Sequence, residues 1–388
     1  MDKTAQRELI RVGNEWSVSQ ISKALISVLT ARGPALEFGE FNTQAWSAIQ
    51  KPASQKVPTD CAVVISTSGS TGNAKQVCLS AGALVASAYS AHSYLGAHRG
   101  ERWSLVLPLT HIAGVNVLVR AIELGLEAVD NRNVDQYSQA EYVSVVPTQL
   151  HRALYNESDK KLLAHLQGAV AVLVGGGPTN EFLIAQAKEH GVNVITTYGM
   201  TEMCGGCIFD GNPLSKVEMK ITEVGRIKLK GPMRANGYLN DEHSWASVID
   251  GAWFTTSDLG RIEAGRLQIL GRIDDQIISG GKKISLNEIE LSLHSLFPAQ
   301  QFIAFAIPDP EWGQALALAS SSKIAEASIK DHLRKTFGGY GVPKFFLQLE
   351  EFPTKGIEKP DRNRLREILS SQLANSSQLV ENDTGEMA

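Results

Sequence analysis

Between Cys61 and Thr196 the chain alternates short apolar runs with stretches of helical period, and few folds accept that rhythm. Cys61–Ile65, Ser104–Leu107, Tyr142–Val146, Ala169–Val174 and Val192–Thr196 read as buried strands. Between them lie helices: one capped by Ser80 and running to Tyr94, one over Val115–Glu123 closed by Gly125, one over Thr148–Tyr155, and one capped by Thr179 and ending at His190 before Gly191. Apolar strands alternating with helices of this size predict an α/β fold with a largely parallel sheet covered on both faces. Ligands on such sheets bind beyond the carboxyl ends of the strands. Three polar or glycine-rich turns follow strands at that end: Ser66–Lys75, Gly175-Gly176-Gly177 and Tyr198-Gly199-Met200-Thr201-Glu202. Placed along one sheet rim, they predict a single site.

The first of these turns is the most unusual stretch. Ser66, Thr67, Ser68, Gly69, Ser70, Thr71 and Gly72 supply five hydroxyls and two glycines within seven residues, and Lys75 adds a positive charge. Glycines let backbone N–H groups turn inward and hydroxyls add short donors, so the loop can wrap a polyphosphate. It lacks the Gly-x-x-x-x-Gly-Lys-Ser/Thr spacing of a Walker A loop. A polar surface turn has the same composition, and the loop alone does not separate the two readings.

The rest of the chain bounds the answer. At 388 residues it is long enough for two domains, and 43% hydrophobic with 20% charged residues is ordinary for a globular protein. A net charge of -4 gives no case for nucleic acid or an anionic membrane surface. No apolar run reaches the length of a membrane span and the polar N-terminus is no signal peptide, so cytoplasm is the default. Four cysteines are too few for a disulfide scaffold. Cys204-Gly-Gly-Cys207 has metal or redox spacing, but no second Cys/His pair accompanies it, so small residues packed close to a ligand are the better reading. Before Thr59 there is one helix, Val18–Thr30, started by Ser17 or Ser19, and Ala53–Pro58 reads as a connector. After Gly205, the runs Glu218–Leu239 and Trp253–Ile269 predict a β-rich subdomain. Gly271-Arg272-Ile273-Asp274-Asp275 then reads as a hinge, and a small α+β unit follows it. The polar stretch from Ser376 reads as a disordered tail.

In this order the motifs resemble the adenylate-forming superfamily of acyl-CoA synthetases, peptide-synthetase adenylation domains and luciferases. They are the Ser/Thr/Gly loop, Pro108-Leu109-Thr110-His111, Tyr198–Glu202, Thr256-Ser257-Asp258, Gly271–Asp275 with Ser279-Gly280-Gly281, and a late lysine. Within it the chain is most similar to the o-succinylbenzoate–CoA ligase group of menaquinone biosynthesis. The similarity rests on His111-Ile112-Ala113-Gly114, Ser144–Leu150 and Ser279-Gly280-Gly281. The resemblance implies a large N-terminal domain over residues 1–272, a hinge at 273–275, a small mobile C-terminal domain over 276–375 and a tail over 376–388. It implies a carboxylic acid, Mg-ATP and coenzyme A as substrates, acyl-adenylate and pyrophosphate as first products, and displacement of AMP by the CoA thiol. An aryl- or acyl-adenylating ligase for another acid, or one that loads a carrier protein, stays open. So does a homodimer.

The same resemblance assigns roles. Ser66–Gly72 and Lys75 would hold the β- and γ-phosphates, and Gly175, Gly176 and Gly177 would approach the adenine. Tyr198 would stack near the base, with Gly199 and Met200 beside it. Thr201 would contact the α-phosphate and Glu202 would hold Mg²⁺. Asp258 would take the ribose hydroxyls, Arg272 would reach the ribose or phosphate, and Asp274 would be the hinge. His111 would sit between the acyl pocket and the CoA tunnel, and Gly280 and Gly281 would line the pantetheine path. Lys359, with Lys355 as competitor, would steer attack on the α-phosphate. Three departures stand out: Asn73-Ala74 before the loop lysine, Ser257 before Asp258, and a shortened segment before Ser66.

Overall fold

The structure is a computed structural model that describes residues 5–39, 55–67, 75–297, 300–355 and 359–384, with only the backbone of 355, 359 and 374–384. The chain divides into two compact units. The first holds Met1–Thr256 and Gly260–Ile269, the second Ser257–Leu259 and Leu270–Ala388.

The first unit opens with β1 (Gln6–Arg11), α1 (Val18–Leu29), β2 (Ala35–Phe38), β3 (Lys56–Pro58), β4 (Val63–Thr67), β5 (Lys75–Leu79) and α2 (Ala81–Leu95). It continues with β6 (Trp103–Leu105), α3 (Ile112–Glu123), β7 (Val129–Asp130), β8 (Tyr142–Val145), α4 (Pro147–Tyr155), α5 (Lys160–Gln167), β9 (Ala171–Gly175) and α6 (Glu181–Glu189). Then come β10 (Val194–Met200), β11 (Gly205–Phe209), β12 (Asn212–Pro213), β13 (Glu218–Ile221), β14 (Arg226–Lys230) and β15 (Gly237–Tyr238). After α7 (Glu242–Val248) and β16 (Ile249–Asp250), the hairpin of β17 (Trp253–Glu263) and β18 (Arg266–Arg272) follows, its Ser257–Leu259 and residues 270–272 counted with the second unit.

The single sheet expected from the sequence is two sheets. One has the order β15-β5-β4-β2-β1-β3, the other β12-β11-β10-β9-β8-β6-β7. The flanks of the Ser/Thr/Gly loop, Ser66–Thr67 and Lys75, therefore belong to the first sheet, while Gly175–Gly177 and Tyr198–Glu202 lie at strand ends of the second. The physical reason lies at the N-terminus. β2, with four buried residues Ala-Leu-Glu-Phe, pairs in parallel with both β1 and β4 and completes a sheet of its own. The stretch read as a connector carries β3, whose Val57 pairs with Arg7. Both sheets keep parallel centres, and β10–β11 and β4–β5 are antiparallel margins.

Strand alternation sorts the core into layers. Ile65 and Val77 of the first sheet, Tyr142 and Leu173 of the second, and Leu25, Leu84 and Leu118 of α1, α2 and α3 share one buried cluster between the sheets. Val143, Val172 and Val194 point the other way, onto Leu150, Leu166 and Leu183 of α4, α5 and α6. Local chemistry fixes the helix starts. Ser17 and Gln20 form a capping box on α1, and Ser80 accepts from the Ala83 N–H at 3.1 Å. Asn180, not Thr179, caps α6, accepting from the Leu183 N–H at 2.6 Å.

The second unit contains β19 (Gln276–Ser279), β20 (Lys282–Ser285), α8 (Leu286–Leu296), β21 (Phe302–Asp309), β22 (Gly313–Ser320), α9 (Glu326–Phe337), β23 (Phe345–Gln348), β24 (Thr354–Lys355), β25 (Lys359–Pro360) and α10 (Arg362–Thr384). Its main sheet runs β20-β19-β22-β21 with β23 also on β22. Ile289 and Leu293 of α8 and Leu333 of α9 pack on one face, Leu365 and Leu369 of α10 on the other. α10 extends to Thr384, into the stretch read as a tail. No Gly or Pro interrupts 362–384, and Gly385 follows, so nothing in the backbone chemistry stops the helix earlier. No described helix is long and apolar enough to cross a membrane.

Candidate active site

The phosphate-loop reading starts from a hairpin. β4 and β5 pair up to Ser66↔Gln76 and Thr67↔Lys75, and the Thr67 hydroxyl donates to the Lys75 carbonyl at 3.2 Å. Ser68, Gly69, Ser70, Thr71 and Gly72 lie outside the described residues; their two flanks are held side by side. Cys61 and Cys78, both buried, form a disulfide across the base of this hairpin. Cys204 and Cys207 are free and buried.

The segment 235–239 joins this hairpin to the Tyr-Gly-Met-Thr-Glu turn. Its Ala235 N–H donates to the Glu202 carbonyl at 2.8 Å, and its Asn236 and Leu239 N–H groups donate to the Cys78 and Gln76 carbonyls. Tyr238 pairs with Val77 of β5. The Tyr238 hydroxyl donates to the Glu202 carboxylate at 2.8 Å, and Lys75 Nζ lies 4.6 Å from the centre of the Tyr238 ring. Burial, with the adjacent Glu202 carboxylate, pushes the Tyr238 hydroxyl pKa up, so it remains a donor. Lys75 and Glu202, named from the sequence, are thus linked by a tyrosine that sequence reasoning missed.

Thr201 and Glu202 stand in a 3₁₀ turn, Thr201–Met203, closed by Cys204 in the left-handed region at φ 51°. The Cys204 carbonyl accepts from the Ser87 hydroxyl of α2 at 3.0 Å and from the Asn116 amide of α3. Two helices therefore fix the turn that carries Thr201 and Glu202. Just before it, β10 and β11 approach so closely that a Cβ on Gly199 would lie 1.8 Å from the Gly205 carbonyl. Gly175, the last residue of β9, is similarly confined: a Cβ there would meet the Thr197 hydroxyl at 2.1 Å. Gly176 beside it is left-handed, at φ +82°. The bare backbone of this turn thus follows from strand packing.

His111 occupies the N-cap position of α3, and its carbonyl accepts from Gly114 and Val115. Further along α3 sits a residue the motifs did not flag. Arg120 is buried in the core, where burial lowers its pKa to about 10. Its Nη1 donates to the Ser144 hydroxyl at 3.5 Å and its guanidinium carbon lies 4.9 Å from the Trp103 ring centre. Its Nε has no hydrogen-bond partner among the described residues. An arginine buried so deeply normally has an acidic partner. The sequence signal was available: an Arg within the apolar helix Ile112–Glu123, on the same helix as His111.

In the second unit, Arg272 brings together two other residues named from the sequence, Asp258 and Asp274. It donates to Asp258 at 3.3 Å and to Asp274 at 2.9 Å. Gly280 and Gly281 form the two-residue turn between Ser279 and Lys282, both at positive φ, +54° and +78°. That is the backbone of a tight hairpin turn, which glycine accepts without strain. A Cβ on Gly280 would also lie 2.5 Å from Tyr340. Lys355 and Lys359 face each other in the β24–β25 register; their side chains lie outside the described residues.

Among the described residues no group of three or more His, Cys, Asp and Glu side chains could hold a metal. With Tyr238 on its Oε1, the Glu202 carboxylate leaves Oε2 as a hard oxygen donor, which suits a Mg²⁺ ion held mostly by nucleotide phosphates and water.

The paired flanks of the β4–β5 hairpin, joined through Tyr238 to a conformationally fixed Thr-Glu turn, fit a nucleotide-using enzyme of the adenylating class. Residues 9–239 match the AMP-binding enzyme family, and the chain belongs to it. It is 33% identical over 332 residues to the probable 2-succinylbenzoate–CoA ligase of Mycobacterium tuberculosis H37Rv, covering 80% of this chain and 85% of the relative. It is 31% identical over 337 residues to the 2-succinylbenzoate–CoA ligase of Enterococcus faecalis, covering 78% and 68%. Its fold matches o-succinylbenzoate CoA synthetase (MenE) from Bacillus subtilis, solved with the acyl-adenylate intermediate OSB-AMP. The TM-score is 0.70, with 26% identity over 92% of this chain and 83% of that one. The same enzyme with ATP and magnesium matches at TM-score 0.69 and 25% identity, over 91% and 83%.

Proposed function

We propose that the chain is an ATP-dependent, AMP-forming acid–CoA ligase that converts o-succinylbenzoate to o-succinylbenzoyl-CoA in menaquinone biosynthesis. The observation that carries this reading is the link from the phosphate hairpin through Tyr238 to Glu202, within a chain whose relatives bear that activity in their names.

The first half-reaction brings a carboxylate to the α-phosphate of ATP. Two anions must meet, so catalysis rests on neutralising charge and on alignment. The Ser66–Lys75 hairpin holds the β- and γ-phosphates, and Thr201 contacts the α-phosphate. Mg²⁺, when bound, neutralises phosphate charge and is held by Glu202 with its waters. Tyr238 holds the Glu202 carboxylate in place. The Gly175–Gly177 turn and Tyr198 take the adenine, with Gly199 and Met200 shaping the strand end. Asp258 receives the ribose hydroxyls, and Arg272 ties Asp258 to the hinge at Asp274. Lys359, or Lys355 opposite it, orients the attacking carboxylate. In the second half-reaction the CoA thiol attacks the acyl carbon and AMP leaves; His111 of the first unit and, separately, Gly280 and Gly281 of the second are the residues assigned to that step.

o-Succinylbenzoate has two carboxylates, and only one is activated. Arg120, buried and without an acidic hydrogen-bond partner among the described residues, is the group we assign to the other. Arg120→Lys retains the charge and loses the planar fork. It is expected to raise KM for the acid at least about tenfold while KM for ATP stays within about twofold, since a hydrogen bond to a charged group is worth ~1.5–3 kcal/mol. An unchanged acid KM would remove Arg120 from the pocket.

The work of such an enzyme belongs in the cytoplasm, where ATP and CoA are held. One chain is 42.0 kDa, and a light-scattering mass near twice that value would mark a homodimer.

A further inference from the structure

We infer that Arg362 is a positioning residue for the adenylation lysine: it locks the hairpin carrying Lys355 and Lys359 onto the edge of the small unit's sheet. The inference rests on the reading that one of these lysines serves the adenylation half-reaction.

The sheet ends at β21, which pairs only with β22 and so leaves one row of backbone groups without a strand partner. Ala304 is one of those edge residues. Its N–H donates to a Glu290 carboxylate oxygen at 2.8 Å, and its carbonyl accepts from Arg362 Nε at 2.9 Å. Arg362 Nη2 closes the triangle by donating to the same Glu290 oxygen at 2.8 Å. Glu290 and Arg362 together do for Ala304 what a neighbouring strand would do. Glu290 is 8% exposed, so its charge depends on this partner. A third contact runs from Arg362 Nη1 to Asp275 at 3.6 Å, the residue after Asp274.

The chain path explains why this matters for the lysines. Thr354 pairs with Pro360 and Lys355 with Lys359. The Asp361 N–H donates to the Pro353 carbonyl at 2.8 Å and shuts the base of the hairpin. The Asp361 side chain then accepts from the Asn363 and Arg364 N–H groups, starting α10. Arg362 is therefore the first side chain past the closed hairpin, and it is fastened at three points. A guanidinium fork makes these bonds in one plane, which an ammonium cannot do. Loss of the fork frees the hairpin to shift, and a misplacement of about 1 Å in a reacting geometry costs up to ~100-fold in rate.

Arg366 is the internal comparator. Its Nε donates to the next edge carbonyl, Ala306, at 2.9 Å, one helical turn away from the hairpin. A purely structural role would lower the two half-reactions together, at either arginine.

The test uses the full-length enzyme and measures the half-reactions separately: ATP–pyrophosphate exchange with o-succinylbenzoate, and thioester formation from supplied o-succinylbenzoyl-adenylate and CoA. Arg362→Lys should lower exchange at least about tenfold and leave thioester formation within about threefold. Arg366→Lys should change both by less than about twofold. Glu290→Gln, which keeps the Ala304 acceptor and weakens the hold on Arg362, should show the same split at smaller size; it decides the matter if Arg362→Lys does not fold. Equal loss of both half-reactions, or equal effects at Arg362 and Arg366, would overturn the inference. Lys359→Ala and Lys355→Ala run alongside. If neither lowers exchange, the lysine reading fails; if one does while Arg362→Lys and Glu290→Gln keep exchange, the lysine reading stands and the positioning role falls.

Discussion

Tyr238→Phe separates the link to Glu202 from everything else the tyrosine does. The ring is 3% exposed, so phenylalanine keeps its packing, and Lys75 keeps a ring face at the same place. Only the hydroxyl is lost, together with its 2.8 Å bond to the Glu202 carboxylate. A hydrogen bond to a charged group contributes ~1.5–3 kcal/mol. Glu202 is only half-buried, so water recovers part of that, and the lower end applies. At about 1.36 kcal/mol per decade of rate, adenylation should fall roughly tenfold. Because the carboxylate that holds the metal loses its support, the Mg²⁺ concentration giving half-maximal ATP–pyrophosphate exchange should rise by a similar factor. Thioester formation from supplied acyl-adenylate, which needs no new phosphate contacts, should stay within about twofold. Unchanged exchange with an unchanged Mg²⁺ requirement would refute the idea that Tyr238 holds Glu202 for the metal.

Three further outcomes are expected. Gly199→Ala forces a Cβ to within 1.8 Å of the Gly205 carbonyl and must part β10 from β11; a loss of ~3 kcal/mol or more, at the upper end for overpacking, would show as a lowered urea midpoint. His92 accepts from the Trp103 indole N–H through Nε2 at 3.0 Å, so its proton sits on Nδ1 toward Glu123. Burial lowers its pKa below the ordinary 6.5, so the stability tied to its neutral form is present above that value and is lost as pH falls through the lowered one. The melting temperature should drop from pH 7 to pH 5, and His92→Gln should flatten the slope without abolishing it, because burial lowers His165 and His294 too. Last, Lys359→Ala should abolish ATP–pyrophosphate exchange and spare thioester formation; if Lys355→Ala does so instead, the two lysines exchange roles.

What the sequence discloses follows from how local each feature is. The hairpin flanks at Ser66 and Lys75, the strands at Tyr142 and Val194, and the Thr201–Glu202 turn are written in contiguous residues, and contiguous patterns suffice to find them. Two sheets in place of one escaped notice because β1 is mostly polar and exposed, and β3 is defined only by pairing with it. Tyr238 was silent for the same reason. Its role depends on pairing with Val77, far away in sequence, and on the carbonyl of Glu202 accepting from Ala235. The clamp on the Cys204 carbonyl joins Ser87, Asn116 and a turn from three separate regions. Arg120 was legible in principle, as a cation inside an apolar helix, but only burial distinguishes it from an arginine whose stem reaches out to water.

The most direct measurement is ATP–pyrophosphate exchange by the purified enzyme against a panel of aromatic and aliphatic acids, followed by addition of CoA. The expected result is exchange that depends on o-succinylbenzoate and on Mg²⁺, is lost in Glu202→Ala, and is followed by o-succinylbenzoyl-CoA once the thiol is supplied. Exchange with a different acid alone, or thioester formed on a carrier protein and not on CoA, would contradict the substrate assignment. No carboxylate-dependent exchange with any acid would contradict the ligase itself.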